Sequence, residues 1–280
     1  MSRSFLFVPG DVPRMLQNAA VFDADTVIVD LEDSVSITRK EDARHLTDAF
    51  LRRHPDATTP HYVRINPLGS DDFKTDVKLV CALPASGVVM PKVTVDALQR
   101  LDQLFSAEKC RLDVYGIVES ARAFTEIHAI AAHRLIKGLI LGAEDLSADL
   151  GITPGLGNET LEHAMASLVL AAKAFAKEAV DSPCVSVADD ERLQEEITRA
   201  LRMGFTGKAC IHPNHVDAVN RAFLPDEKAL LKARRIYEKS RELQSVRFAL
   251  DGEMIDKPVI ERAKALIARA ERYRKRGPSA

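Results

Sequence analysis

Short apolar runs alternate with amphipathic segments along most of the chain. The runs have the length of β-strands, and each is followed by a segment whose apolar residues recur at helical spacing. Eight such units in succession predict an α/β fold, a (β/α)8 TIM barrel, with its active site at the C-terminal ends of the strands. The predicted strands cover residues 5–8, 26–30, 62–66, 87–90, 113–119, 138–142, 184–187 and 207–211.

A C-terminal extension follows the predicted barrel. We expect residues 1–224 to form the barrel and residues 225–280 to form a helical extension. Its predicted elements are a helix at 226–244, an extended stretch at 246–250, a turn at Asp251-Gly252 and a helix at 258–274. The extension could cap the barrel or reach into a neighbouring subunit's site, and the pattern leaves both open.

The connection after the sixth predicted strand is unusually long. Residues 142–158 are rich in glycine, proline and threonine, and a helix is predicted to follow over residues 159–180. Long loops inside compact domains are uncommon and often bind ligands or act as lids. We therefore expect this segment to be a functional loop on the catalytic face.

Composition excludes several classes of partner. The chain has 280 residues, 46% of them hydrophobic, and a net charge of -2, so neither nucleic acid nor an anionic membrane is an expected partner. A signal peptide is not expected, and no run reaches the roughly 18 apolar residues that suggest a membrane span, so we expect a cytoplasmic location. The four cysteines are widely spaced and are expected to be reduced thiols.

Two carboxylates stand at the ends of neighbouring predicted strands. Glu119 ends the fifth strand and Asp145 lies just beyond the sixth. Neighbouring parallel strands are about 4.8 Å apart, so the two side chains can share one hard cation. Mg²⁺ is usually held by one or two carboxylates, which leaves coordination sites for substrate and water. The alternative is that each carboxylate caps a helix.

Basic residues also occur at strand ends. Arg64 interrupts an apolar strand, and its planar fork suits a carboxylate or phosphate, although an ion pair with Glu32 or Asp33 would also explain it. Lys92 follows the fourth strand, where an electrostatic role is favoured over a Schiff base.

The second strand ends in a cluster of acids that needs neutralising cations. Asp30, Glu32 and Asp33 are close in sequence, and a metal, Arg64 or Lys92 could balance them. Arg14 and Lys208 are the basic candidates for contacting the phosphates of a larger ligand. His212 ends the eighth strand, where a structural and a catalytic role are both open.

Several sequence motifs resemble those of the citrate lyase beta-subunit-like proteins of the HpcH/HpaI aldolase superfamily. The resemblance covers essentially the whole chain, and the order of the motifs is the same. They are Ser4-Phe5-Leu6-Phe7-Val8-Pro9-Gly10, Asp30-Leu31-Glu32-Asp33-Ser34-Val35, Val63-Arg64-Ile65-Asn66, Met90-Pro91-Lys92, Ile117-Val118-Glu119-Ser120-Ala121-Arg122, Gly142-Ala143-Glu144-Asp145-Leu146, Gly204-Phe205-Thr206-Gly207-Lys208 with Ile211-His212-Pro213, and Asp251-Gly252-Glu253-Met254-Ile255-Asp256.

The resemblance implies a Mg²⁺-dependent lyase that cleaves a 3-hydroxyacyl-CoA thioester to acetyl-CoA and a 2-keto acid, or catalyses the reverse condensation. It implies Glu119 and Asp145 as metal ligands and Arg64 as a clamp for the keto-acid carboxylate. The backbone N–H groups of Ala143, Glu144 and Asp145 would help to bind that acid. Asp256 resembles the family's acid/base residue, contributed by the neighbouring subunit of a homotrimer. Arg14 and Lys208 would bind CoA, while Glu32, Asp33 and Lys92 would surround the metal site.

Other functions stay open at this stage. The complete Gly142-Ala143-Glu144-Asp145-Leu146 motif is similar to stand-alone members that use malyl-CoA or citramalyl-CoA, rather than to the beta subunit of a citrate lyase complex. A class II aldolase acting on free hydroxy-keto acids would need the same carboxylate pair. A non-catalytic subunit of a multi-enzyme lyase would not need it. The sequence does not distinguish the keto acids.

Overall fold

Eight parallel strands form a closed barrel in the order in which they occur along the chain. The computed structural model describes residues 2–55 and 58–274. The predicted (β/α)8 fold is confirmed. The strands are β1 (Ser4–Pro9), β2 (Thr26–Asp30), β3 (His61–Arg64), β4 (Gly87–Met90), β5 (Asp113–Val118), β6 (Ile136–Leu141), β7 (Glu178–Asp181) and β8 (Gly207–Cys210).

Helices connect the strands and cover the outside of the barrel. Their apolar faces are buried and their polar faces are exposed, as expected for helices packed on a parallel sheet. The helices are α1 (Pro13–Gln17), α2 (Lys40–Arg53), α3 (Phe73–Cys81), α4 (Val95–Ala107), α5 (Ala121–Thr125), α6 (Ile127–Ala132), α7 (Ala143–Leu150), α8 (Glu159–Ala174), α9 (Asp190–Met203) and α10 (Asn214–Ala222), with short 3-10 helices at Ala19–Phe22 and Ile37–Arg39.

Aromatic side chains fill the inside of the barrel. The Tyr115 ring packs edge-on against Phe5 and Tyr62, with centroid distances of 5.2 and 5.1 Å. Tyr115 donates a hydrogen bond to Glu178, and Lys137 donates one to the Tyr62 hydroxyl. The barrel is therefore a packed core below its C-terminal rim, where an open pocket remains.

The predicted seventh strand is wrong. The strand lies at Glu178–Asp181, whereas residues 184–187 follow it and expose Val185 and Val187 by more than 40%. Helix α8 ends at Ala174 rather than at residue 180, because Ala176 adopts a left-handed conformation and the Lys177 N–H bonds back to the Ala172 carbonyl. The apolar part of the true strand is too short to stand out from the helix before it.

The connection over residues 142–158 is also more ordered than expected for a loop. Its first half forms α7, whose left-handed C-cap is Gly151. The loop prediction was wrong for that half and holds for the segment that follows. As a result, the residues directly after β6 belong to the first turn of a helix.

Residues 221–274 form a second compact unit, whereas the boundary was predicted after residue 224. Helices α11 (Glu227–Glu242) and α12 (Lys257–Arg274) enclose a hairpin of β9 (Phe248–Leu250) and β10 (Glu253–Ile255). An apolar cluster that includes Phe248, Ile255 and Ile260 holds the unit together. Asp251 and Gly252 both have positive φ, as a two-residue hairpin turn requires, so the predicted turn is confirmed.

Two of the four cysteines are not free thiols. Cys81 and Cys110 form a disulfide with a Cα–Cα distance of 5.6 Å, which corrects the expectation of reduced cysteines for this pair. Cys184 and Cys210 are free and buried. Wide spacing in sequence did not reveal the pair because the helix ends that carry it meet only in the fold.

None of the helices that the structure describes combines the length and apolar character needed to cross a bilayer.

Burial of His61 makes the stability of the barrel pH-dependent. Burial lowers the pKa of His61 to about 4, with a contribution from His54. Between about pH 6.5 and 4, His61 is protonated in the unfolded chain but stays neutral in the folded chain. The free energy of unfolding therefore falls as pH falls through this range. Relative to His61→Gln, the wild-type free energy of unfolding should fall by roughly 2 kcal/mol between pH 7.5 and 4.5.

Urea unfolding at both pH values checks this expectation. The exposed His163 on α8 provides the control, since His163→Gln should follow the wild type at both pH values. An equal pH response in wild type and His61→Gln would contradict the role of His61.

Candidate active site

A pocket of about 380 Å³ opens at the C-terminal ends of the strands. Phe7, Ile117 and Ile140 form its apolar floor, and charged residues form its rim. Most of the predicted site residues line it, namely Arg64, Glu119, Ala143, Glu144, Asp145 and Asp33. A larger cavity, of about 760 Å³, lies at the opposite end of the barrel and contains none of them.

Glu119 is a buried carboxylate in this pocket. It follows β5 directly, and its Oε1 accepts a 2.6 Å hydrogen bond from the backbone N–H of Lys92. Burial raises the pKa of Glu119 to about 8; the Lys92 N–H opposes the rise, and the negative charges of Asp145 and Glu32 add to it. The helix after β5 is capped by Ser120, so Glu119 is not its cap.

Asp145 reaches the same pocket from the next strand. It lies in the first turn of α7, directly after β6, and is exposed at the pocket rim. Strands β5 and β6 are hydrogen-bonded neighbours, with Val118 paired to Leu141. The two predicted metal ligands are therefore brought together by adjacent strand ends.

Lys92 contacts Glu119 through its backbone rather than its ammonium group. The residue has a φ of 48° and an exposed side chain. Its left-handed conformation turns the N–H toward Glu119. The predicted electrostatic role of the Lys92 ammonium group stays a prediction, beside the contact that its backbone makes.

Arg64 belongs to an acidic cluster beside the pocket. Its Nε and Nη2 bind the two oxygens of Asp30 at 2.7 and 2.6 Å, and its Nη1 lies 2.9 Å from Glu32 and 3.6 Å from Asp33. Phe7 packs against the guanidinium. Asp30 thus occupies the Nε/Nη2 edge of the fork, and the remaining nitrogen, Nη1, faces Glu32 and Asp33.

Asp30, one of the three acids that Arg64 was predicted to balance, is its bidentate partner. Asp30 and Arg64 are paired in the register of β2 and β3, and this pairing of strand ends could have indicated the contact. Burial would raise the pKa of Asp30, but Arg64 and the N–H groups of Ser34 and Glu32 outweigh it and hold the pKa below its usual value. Asp30 is therefore the fixed anion of the cluster.

Glu32 retains unbalanced negative charge. Burial raises its pKa to about 7; Arg64 opposes the rise, while Asp33 and Asp30 add to it. Its Oε2 is buried and has no aligned hydrogen bond, although the ion-pair distance to Arg64 is short. One guanidinium therefore serves three carboxylates and does not satisfy them all.

The first turn of α7 supplies hydrogen-bond donors at the pocket. The first intrahelical bond runs from the Leu146 N–H to the Gly142 carbonyl. The N–H groups of Ala143, Glu144 and Asp145 precede it, so the helix itself offers them no acceptor. Such a turn suits a small anion beside the carboxylate pair.

Gly142 leaves room for Glu119. A Cβ at this position would lie 2.5 Å from the Glu119 Cβ and 2.6 Å from its Oε2. A larger residue would have to displace the carboxylate. Gly142 is thus a site residue that the sequence reasoning noted only as part of a motif.

Lys208 was predicted to contact CoA, and the structure contradicts this. It is fully buried, and its Nζ donates to Asp181 at 2.6 Å, to the Ser182 carbonyl at 2.7 Å and to Glu196 at 3.2 Å. Burial would lower its pKa, but Asp181 and Glu196 outweigh this and hold it above the usual value. Lys208 therefore stabilises the pocket wall by holding the Ser182 carbonyl, and its Nζ is not available to a ligand.

Three further predicted residues are Arg14, His212 and Asp256. Arg14 is exposed on α1. The His212 Nδ1 accepts the Asn214 N–H, which gives His212 a structural role at the start of α10. In the second unit, Asp256 caps α12 by accepting the Val259 N–H and is exposed.

The donor set fits a hard divalent cation. Within residues 2–55 and 58–274, no group of three or more His, Cys, Asp or Glu residues is arranged to hold a metal. Glu119 and Asp145 are a pair, and the nearby Glu32 shares a single guanidinium with Asp30 and Asp33. Two carboxylates beside an open pocket match the coordination that Mg²⁺ uses when substrate and water complete its shell.

Known proteins resemble the chain over nearly its full length. A profile of the HpcH/HpaI aldolase/citrate lyase family matches residues 3–213. The citrate lyase subunit beta-like protein of Mycobacterium tuberculosis is 35% identical over 272 residues, covering 95% of this chain and 94% of that protein. The (3S)-malyl-CoA thioesterase of Cereibacter sphaeroides is 29% identical over 274 residues, covering 96% and 94%.

A solved structure agrees with these matches. The crystal structure of M. tuberculosis CitE in complex with magnesium, acetoacetate and coenzyme A superposes with a TM-score of 0.81 at 32% identity, covering 96% of this chain and 98% of that one. Fold, site and relatives thus define the protein as a (β/α)8-barrel carbon–carbon lyase. The chain belongs to the HpcH/HpaI aldolase/citrate lyase family.

A methyl group at Gly142 should disable the carboxylate pair. Gly142→Ala should lower Mg²⁺ affinity and lyase activity by roughly 10–100-fold, because the Cβ displaces Glu119. Titration calorimetry with Mg²⁺ measures the affinity. Gly155→Ala is the matched control, since a Cβ at Gly155 meets nothing within 4 Å, and it should bind Mg²⁺ as the wild type does. Equal affinities for the two variants would contradict this role for Gly142.

Proposed function

We propose that the chain is a Mg²⁺-dependent lyase that cleaves a 3-hydroxyacyl-CoA thioester of the malyl-CoA or citramalyl-CoA type. The products are acetyl-CoA and a 2-keto acid, and the reverse condensation uses the same site. The observation that carries the proposal is the meeting of Glu119 and Asp145 at adjacent strand ends in one pocket. The CitE complex with magnesium, acetoacetate and coenzyme A supports this ligand set.

Glu119 and Asp145 would hold the cation at the pocket floor and rim. When bound, Mg²⁺ supplies Lewis-acid stabilisation of the developing oxyanion and a template for the substrate. The Lys92 N–H keeps the Glu119 carboxylate oriented toward the pocket. Gly142 keeps the space beside it free.

The substrate carboxylate would bind between Arg64 and the first turn of α7. Asp30 occupies the Nε/Nη2 edge of the Arg64 guanidinium and Nη1 lies 2.9 Å from Glu32, so a substrate carboxylate would bind Nη1 in competition with Glu32. The N–H groups of Ala143, Glu144 and Asp145 offer further donors. These contacts would orient the carbon–carbon bond that breaks, which is the positioning on which such catalysis depends.

Asp256 is the proposed acid/base residue, acting on the subunit beside its own in a homotrimer. Its Oδ1 caps α12, and the carboxylate is exposed to solvent in the second unit. In the cleavage direction it would protonate the methylene carbon that becomes the acetyl-CoA methyl group. In the condensation direction it would remove that proton. General acid–base catalysis of this kind typically raises the reaction rate by ~10²–10⁴-fold.

The proposed CoA contacts now depend on Arg14 alone, since Lys208 is buried. The pocket of about 380 Å³ accommodates the keto acid and the thioester end. The nucleotide of CoA would extend over the rim, and the exposed Arg14 guanidinium on α1 suits one of its phosphates.

Product analysis with and without the metal ligands tests the proposal. The full-length protein is incubated with Mg²⁺, acetyl-CoA and either pyruvate, glyoxylate or oxaloacetate, and the products are weighed by mass spectrometry. At least one keto acid should give a condensed CoA thioester. Glu119→Gln and Asp145→Asn should each lose at least ~100-fold of this activity and remain folded by circular dichroism.

The control is Glu159→Gln, which changes an exposed acid at the start of α8 and should retain wild-type activity. Near-wild-type turnover in Glu119→Gln or Asp145→Asn would refute the ligand assignment. Absence of any condensed or cleaved product from the wild-type protein would refute the lyase reaction itself.

Thioester hydrolysis is a second candidate, favoured by the likeness to the C. sphaeroides (3S)-malyl-CoA thioesterase. Hydrolysis needs the same acid-binding pocket but adds water at the thioester carbonyl instead of breaking a carbon–carbon bond. Malyl-CoA as substrate separates the two reactions. Hydrolysis releases malate and free CoA, whereas cleavage releases glyoxylate and acetyl-CoA.

A further inference from the structure

The disulfide joins two neighbouring outer helices at the end of the barrel opposite the active site. Cys81 is the last residue of α3. Helix α4 ends at Ala107, Lys109 has a left-handed conformation, and the Cys110 N–H bonds back to the Phe105 carbonyl. This terminal turn places Cys110 beside the end of α3, with a Cα–Cα distance of 5.6 Å.

The cavity of about 760 Å³ gives access to Cys110, one member of this pair. Cys110 lines it together with Lys109, Arg111 and Arg134. Both bridged cysteines are half-buried, whereas Cys184 and Cys210 are buried. A small molecule entering the cavity can therefore meet the bridge but not the two free thiols.

The charge around Cys110 favours an anionic reagent. Two acids, Asp102 and Asp113, line the cavity, but Arg134 pairs with Asp102 and Lys137 pairs with Asp113. Lys109 and Arg111, on either side of Cys110, have no carboxylate partner among residues 2–55 and 58–274. Two uncompensated cations beside a cysteine stabilise a thiolate and attract negatively charged ligands.

We propose that Cys81 and Cys110 are a reversible redox site that exchanges with small anionic disulfides of the glutathione type. One protein thiolate attacks the disulfide, forms a mixed disulfide and releases the first small thiolate. The second protein thiolate then attacks the mixed disulfide and releases the second. The two protein thiols are oxidised by two electrons, the small disulfide is reduced, and the two protons end on the two released small thiols.

Oxidation covalently links the ends of α3 and α4, and neither cysteine lines the catalytic pocket. The bridge closes a chain segment with a sequence separation of 29. Loss of the bridge raises the conformational entropy of the unfolded chain. Reduction should therefore lower the thermal midpoint by roughly 5 °C or more. Cys81→Ser/Cys110→Ser should melt at the same temperature with and without dithiothreitol.

Thiol counting on the full-length protein tests the pair. After native reduction with dithiothreitol and denaturation, four thiols should titrate; after native treatment with glutathione disulfide, two should remain. Peptide mapping should place the lost thiols at Cys81 and Cys110. Four thiols after glutathione disulfide, or two after native dithiothreitol, would overturn the proposal. So would a wild-type thermal midpoint that does not change on reduction.

Exchange rates test the charge argument separately. Reduced protein should react faster with anionic glutathione disulfide than with cationic cystamine. Each rate is first divided by the rate at which a small neutral thiol reacts with the same disulfide. Arg111→Gln should lower this preference at least twofold, whereas Arg53→Gln, an exposed arginine on α2, should not. Equal normalised rates for the two disulfides in the wild type would overturn the assignment of an anionic partner.

Discussion

The buried carboxyl group of Glu119 is the constraint from which the organisation of the site follows. It ends a barrel strand, so its position is set by the sheet and not by a flexible loop. Burial and the nearby Asp145 and Glu32 make its negative charge costly unless a cation is present. The neighbouring strand end brings Asp145 to the same place. A barrel that forms at all therefore presents a paired carboxylate to whatever enters the pocket.

The second acidic group of the rim is balanced in a different way. Arg64 holds Asp30 in a bidentate pair and stands close to Glu32, so most of its hydrogen-bonding capacity is spent within the protein. A substrate carboxylate that binds Arg64 would therefore compete with Glu32 for Nη1. Within the part of the chain that the structure describes, no cationic side chain forms an ion pair with Glu119. The site thus has two separate charge clusters. The Arg64 cluster is suited to positioning substrate, and the Glu119–Asp145 pair is suited to binding a metal ion.

Much of the fold was predictable because barrel strands carry a strong local pattern. Seven of the eight strands lie where β-branched runs predicted them, and the strand ends correctly indicated Arg64, Glu119 and Asp145 as pocket residues. The seventh strand was missed because Ala179 and Val180 are its only apolar residues, and the preceding helix masks them. Local pattern is therefore sufficient where the strand can be told apart from the helix before it.

Contacts that depend on register or on three-dimensional packing were not predictable in the same way. Lys208 has the sequence context of a ligand-binding lysine, yet Asp181 and Glu196 enclose it from elements distant in sequence. Lys92 acts through its backbone, which no residue type reveals. The Cys81–Cys110 bridge depends on how two helices end. Each of these features is decided by where chain segments meet, and not by the residues beside them.

A crystal structure grown with Mg²⁺ or Mn²⁺ tests the central claim most directly. The proposed function predicts one ion with an oxygen of Glu119 and an oxygen of Asp145 each within about 2.2 Å, located by the anomalous signal of Mn²⁺. Density for an ion elsewhere on the rim, with the two carboxylates pointing apart, would contradict it.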